Sequence, residues 1–176
     1  MTISWILVIV YTLFLFIVTP FLPDLIHFAS KYWSSASVAH FVLVVEIMIS
    51  TLLLSMSGWL FIFRRSKFIP FLISTSSILI TTFIIYQFLP NPYEFTHLPE
   101  YGVLGFLLIN AIGKNTKNLY LRSLLYTVLI GTVDELYQGI LPNRSCTWYD
   151  IILNAMGGIL GLLIFWGIQK NRENLN

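Results

Sequence analysis

Six apolar runs, each near the length needed to cross about 30 Å of hydrocarbon, occupy most of this 176-residue chain. They cover residues 3–22, 38–63, 68–89, 98–112, 119–141 and 148–168. Backbone N–H and C=O groups inside hydrocarbon have no water to bond, so such runs must pair their polar groups internally, as helices do. With 57% hydrophobic and only 10% charged residues, the chain reads as an all-α integral membrane protein. The expected architecture is a polytopic helical bundle of about six transmembrane helices. The fourth run is short, which fits a lightly tilted crossing or a partly re-entrant segment.

The basic residues set the orientation. Arg64, Arg65 and Lys67 follow the second run, Lys114, Lys117 and Arg122 follow the fourth, and Lys170 and Arg172 follow the sixth. With six crossings, those eight of the ten Lys and Arg residues share one side, while Glu173 is the only acid there. Basic residues are retained on the cytoplasmic side, so both termini are expected inside. Dropping one crossing would scatter the basic clusters over both faces. The first run lacks a basic leader and a small-residue cleavage site, and is read as a retained anchor rather than a signal peptide.

Several chemistries find no support. Cys146 is the only cysteine and can form no intramolecular disulfide. His27, His40 and His97 show no metal-ligand spacing, and no cofactor or metal is implied. There is neither a glycine-rich phosphate loop nor a basic-aromatic patch suited to nucleic acid. The chain divides into an N-terminal transmembrane hairpin (1–67), a membrane domain (68–170) and a cytoplasmic tail (171–176).

The costly residues gather at the outer ends of the last four runs. Asp134 and Glu135 are adjacent near the end of the fifth run, Asp134 about 22 Å along a helix counted from Leu119. Ionisable groups in an apolar crossing cost roughly 2.5–3.5 kcal/mol each at its centre, less toward its ends, and such residues are functional candidates. His97, Glu100 and Tyr101 share one helical face by their three- and four-residue spacing. Gln138 lies one turn past the two acids, Arg144 sits in the loop after a Pro142-Asn143 turn, and Asp150 and Asn154 open the sixth run. Asp134, Glu135, His97 and Glu100 are candidate catalytic groups. Gln138, Arg144, Asp150 and Asn154 are candidate binding groups. Such a cluster could shuttle a proton or clamp an anion through Arg144.

Each feature also has a structural explanation. The two acids and Arg144 could form a buried ion-pair network that fixes helix packing, and Asp150 suits a helix N-cap. Gly157 and Gly161 form a small-xxx-small face for close helix approach. Glu46, some two turns into the second run, could join the cluster or bond within the N-terminal hairpin.

At the level of motifs, His97-Leu98-Pro99-Glu100-Tyr101 with Leu104-Gly105 resembles the His-Phe-x-Glu-Tyr-x-x-Leu-Gly element of the VanZ-like membrane proteins. Asp134-Glu135-Leu136-Tyr137-Gln138, Pro142-Asn143-Arg144-Ser145, Asp150, Asn154 and Gly157 resemble that family's Asp-Glu-x-His-Gln, Pro-Gly-Arg-Ser and Asp-x-x-x-Asp-x-x-Gly run. The resemblance covers about residues 68–168. Three departures stand out: Pro92-Tyr93-Glu94 replace a frequent basic pair, Tyr137 stands in the place of His, and Asn154 often in that of Asp. Tyrosine, with an ordinary pKa of about 10, is a poor proton carrier near neutral pH.

The family name comes from a member associated with resistance to the glycopeptide teicoplanin. The resemblance therefore implies a multi-pass protein of the bacterial inner (cytoplasmic) membrane, and no particular reaction. The outward-facing cluster would bind or modify an envelope lipid, a lipid-linked wall precursor or an amphiphilic antibiotic. Membrane lipids are the expected surroundings and nucleic acid is not an expected partner. A non-enzymatic accessory protein is the competing reading. A small proton-coupled transporter using Glu46, Asp134 and Glu135 is the third.

Overall fold

The computed structural model describes residues 2–18, 21–63, 68–87, 96–113, 115–142, 144 and 146–173. Arg64, Arg65, Lys67, Lys114, Asn143 and Ser145, used above for orientation and motif, lie outside them. Among the described residues there are seven helices: α1 (Ile3–Val18), α2 (Leu22–Tyr32), α3 (Ser35–Phe63), α4 (Phe68–Gln87), α5 (His97–Ile112), α6 (Leu119–Gln138) and α7 (Trp148–Glu173). No strand occurs among them.

Six of the seven match the apolar runs closely, and their ends fall where the sequence loses apolarity or gains a turn former. Helix α5 stops at Gly113, whose φ of +88° is open to glycine at little cost and whose N–H closes on the carbonyl of Ile109 at 3.2 Å. Helix α6 starts after Asn118, at φ 57°, one of the few residue types that tolerate the left-handed region. The seventh element, α2, was not anticipated. The first apolar run was read through to residue 22, whereas α1 ends at Val18 and a separate eleven-residue helix begins at Leu22.

Helix α7 is the hub, packing against α5, α4 and α6. Long helices consecutive in the chain run antiparallel, whereas α7 runs parallel to α5, Gly157 meeting Leu98 and Gly161 meeting Gly102. Ser57 meets Ser74 at 2.9 Å, and the Thr82 hydroxyl donates to Ser50 at 2.8 Å, so α3 and α4 run in opposite directions. Gly167 of α7 lies against Pro70 and Ser74 near the start of α4, while Leu98 and Leu153 pack with Ile84 near its end. Tyr11 donates to the Glu100 carbonyl at 3.1 Å, and the rings of Phe16 and Tyr137 stack at 5.8 Å, which sets α1 antiparallel to α5. The starts of α3, α5 and α7 and the ends of α1, α4 and α6 therefore share one end of the bundle.

Helix α1 packs on α5 and touches α6, whereas α3 packs on α4. Val8 and Leu15 of α1 join Tyr101, Leu104 and Leu108 in a single core cluster.

Two helices carry windows long and apolar enough to cross a membrane, Leu43–Phe63 in α3 and Trp148–Gly167 in α7, and Ile3–Val18 and Phe68–Ile84 are shorter apolar helices. Polar side chains share the interior with apolar clusters, and large apolar side chains cover much of the outside. Ser57, Ser74, Ser77, Ser123, Thr127, Asp134, Glu135, Gln138 and Asn154 are buried, while Leu, Ile, Phe and Trp side chains of every helix face outward.

Candidate functional site

The start of α5, the last turn of α6, the loop after it and the start of α7 bring the eight candidate residues to one end of the bundle. Glycines make this convergence possible. A Cβ on Gly157 would lie 2.5 Å from the Leu98 carbonyl oxygen and 3.0 Å from that of His97, so α7 lies directly on the first turn of α5. A Cβ on Gly131 would lie 2.9 Å from both Asn154 Cβ and Tyr101 Cε1. Only hydrogen fits at these positions, and the absent side chains let His97, Tyr101, Glu135 and Asn154 meet.

The two adjacent carboxyls do different jobs. Successive residues on a helix are rotated by about 100°, so Asp134 and Glu135 face different neighbours. The Asp134 Oδ2 accepts the Tyr101 hydroxyl at 2.8 Å and the Gln138 amide at 3.0 Å. It is a clasp between α5 and α6, only 1% exposed. Tyr101, fully buried, was noted in the sequence as sharing a face with His97 and Glu100 but was not counted among the site residues. Its four-residue spacing from His97 was the available signal.

Glu135, also 1% exposed, is held more loosely. Asn154 Nδ2 reaches its Oε1 at 3.5 Å and the Gly131 carbonyl at 3.4 Å, both long contacts. The His97 imidazole stands between two acids, Nε2 at 4.0 Å from Glu135 Oε1 and Nδ1 at 4.0 Å from Glu100 Oε2. These gaps exceed hydrogen-bond length, so the imidazole and the carboxyls meet as close ionisable neighbours. The side chain of Glu100 is 21% exposed. A carboxyl–imidazole–carboxyl chain thus leads from the bundle interior to its rim. His97 Nδ1, Asp134 Oδ1 and Asn154 Oδ1 are buried without a hydrogen-bond partner among the described residues.

Arg144 is half-buried in the loop, near enough for its charge to act on His97, Asp134 and Glu135. Asp150 is likewise near His97 and Glu135. It is not the N-cap of α7. Thr147 holds that position, its hydroxyl accepting the Asp150 N–H at 3.2 Å and donating to the Asp150 carboxylate at 2.5 Å. Tyr137 faces away from the cluster, against Phe16. Glu46 belongs to α3, whose packing partners are α2, α4 and α7. A cavity of about 510 Å³ opens at the opposite end, between the start of α6 and the last turns of α7, lined by Leu119, Tyr120, Trp166, Gln169 and Lys170 among others.

A helical bundle with an apolar exterior and ionisable groups gathered inside one end is an arrangement suited to apolar surroundings. The family model described as VanZ/LLP1 matches residues 3–169, nearly the whole chain, and the chain belongs to that family. Its members are membrane proteins. The match takes in the N-terminal helices as well as the region carrying the motifs. No curated protein and no solved structure matches the chain.

Proposed function

We propose that the six long helices cross the bacterial cytoplasmic membrane with both termini inside, and that the polar cluster faces the outer leaflet. There it binds or modifies an amphiphilic envelope molecule: a lipid, a lipid-linked wall precursor or a glycopeptide antibiotic. The membrane placement is supported by the exposed apolar side chains on every helix and by the buried polar contacts between helices, since polar contacts hold helices together where the surroundings are as apolar as leucine. It is supported too by the opposite directions of consecutive long helices and by Lys117, Arg122 and Lys170 at the end away from the cluster.

The Glu135–His97–Glu100 chain carries the functional reading. Two acids bracketing an imidazole, graded from buried to part-exposed, suit transfer of a proton between the interior and a ligand at the rim. Arg144 supplies a cation there for a phosphate or carboxylate. One observation favours the accessory reading for part of the cluster: the Asp134 Oδ2 is fully engaged by Tyr101 and Gln138. We assign that half to architecture and the His97–Glu135 half to function.

Orientation is testable with the native thiol. Cys146 is free and exposed in the α6–α7 loop, so a membrane-impermeant maleimide should label it in intact spheroplasts. Labelling only after permeabilisation would invert the topology and remove the outward-facing site.

Function is tested with Glu135→Gln and Arg144→Lys in a teicoplanin-susceptible host, reading susceptibility and envelope lipid composition beside the amount of protein in the membrane. Both variants should accumulate like wild type and lose whatever change the wild-type chain produces. Loss of an acid–base step lowers a rate by about a hundredfold or more. Retention of the full effect by both variants would overturn the acid–base and anion-clamp roles.

A further inference from the structure

We propose that α2 is an interfacial helix lying along the outer leaflet, with lipid as the partner of its exposed apolar face; the inference rests on the membrane placement proposed above. Helix α1 ends and α3 begins at the same end of the bundle, so the segment joining them has no crossing to make. Eleven residues rise about 16 Å at 1.5 Å each, roughly half the hydrocarbon thickness.

Local chemistry separates α2 from α3. Pro23 stands in its first turn, where the missing N–H costs nothing. Trp33 ends it in an extended conformation (φ −126°, ψ 144°), with its N–H on the Ala29 carbonyl at 2.8 Å. The Ser34 hydroxyl then accepts the Ser37 N–H at 3.2 Å and opens α3. Residues 33 and 34 therefore form a corner rather than a continuation.

The helix is two-faced. Phe21, Leu25, Phe28 and Tyr32 recur at spacings of four, three and four, forming one stripe that is 59–73% exposed, with the Phe28 and Tyr32 rings 5.3 Å apart. Asp24, His27 and Lys31 form an exposed stripe about a quarter-turn away. Aromatic side chains prefer the membrane–water boundary, and a helix with this division lies in its plane with the charged stripe among the headgroups. Lipid is the occupant favoured by continuity along the chain: the aromatic stripe follows the exposed apolar Phe14, Ile17 and Val18 that end α1 and precedes the exposed Phe41, Val44 and Val45 near the start of α3. Lys31 adds a cation at the depth of lipid phosphates.

The test uses full chains in nanodiscs of phosphatidylcholine brominated on the upper or the lower part of its acyl chains. One variant keeps only Trp33 and another only Trp59, which lies inside the Leu43–Phe63 window; the remaining tryptophans become phenylalanine. Trp33 should emit at shorter wavelength than in water and be quenched more by the upper bromines than by the lower. Quenching of Trp59 without quenching of Trp33 would overturn the inference and leave the membrane placement standing. Failure of both to be quenched would overturn the membrane placement itself. Quenching of Trp33 at one chain per disc that disappears at two would make a second copy the occupant and overturn lipid. If the multiple replacement lowers recovery, depth is read from a spin label on Phe28→Cys in a Cys146→Ser chain. Its relaxation should respond to oxygen more than to an aqueous nickel reagent, and the reverse order would overturn the proposal.

Discussion

Gly161→Ala is expected to be among the most destabilising single-methyl changes in this chain, costing about 3 kcal/mol, the top of the ordinary range for overpacking. The added Cβ would collide with the Gly102 Cα, carbonyl carbon and carbonyl oxygen. A side chain could swing aside, but here the obstacle is backbone, so α5 and α7 must separate. Separation loosens the closest contact of the hub helix. Two other glycines supply the controls. A Cβ on Gly102 would meet the Gly157 carbonyl oxygen at 3.4 Å, an ordinary contact, and one on Gly58 would meet nothing within 4 Å. Gly102→Ala should therefore cost little. Gly58→Ala should be neutral or stabilising by up to about 1 kcal/mol, because alanine loses less backbone freedom in a helix. Unfolding of the three variants in mild detergent, followed by circular dichroism, checks the order. Equal behaviour of Gly161→Ala and Gly58→Ala would dispose of the close-packing account.

That asymmetry shows where sequence reading stops. The spacing of Gly157 and Gly161 announces a face for close approach, but the partner helix is a tertiary fact. Gly157 meets Leu98 and His97, Gly161 meets Gly102, and the intervening Gly158 meets Thr127 of α6. Helix boundaries were far more legible, because Gly113, Asn118 and the ends of apolar runs punctuate the chain locally. Helix α2 was missed because Asp24, His27 and Lys31 interrupt a segment too short to span. Its signal was the spacing of Phe21, Leu25, Phe28 and Tyr32, a period that a search for long apolar runs ignores. The gathering of ionisable residues could be anticipated, since buried charge in an apolar run needs partners. The pairing could not, because a 100° rotation separates the surroundings of Asp134 from those of Glu135.

That division of labour leads to a second large expected effect. Asp134→Ala should cost about 3 kcal/mol or more, because it leaves the Tyr101 hydroxyl and the Gln138 amide buried without their acceptor, at about 1–3 kcal/mol for each orphaned group. Asp134→Asn presents a carbonyl oxygen where Oδ2 accepts both bonds, and should fold nearly as well as wild type. Tyr101→Phe removes one donor of the same clasp, so adding it to Asp134→Ala should cost far less than it does in the wild-type chain, which a double-mutant cycle measures directly. Glu135→Gln should behave in the opposite way, keeping an oxygen for the long Asn154 contact and losing function without losing fold. Stability and activity would then separate between two neighbours in sequence: Asp134 joins α5 to α6, and Glu135 meets the imidazole. If Asp134→Ala proves as stable as wild type, the clasp is not what holds these helices together. If Glu135→Gln unfolds the protein, the carboxyl–imidazole–carboxyl chain is part of the scaffold, and the accessory reading extends to the whole cluster.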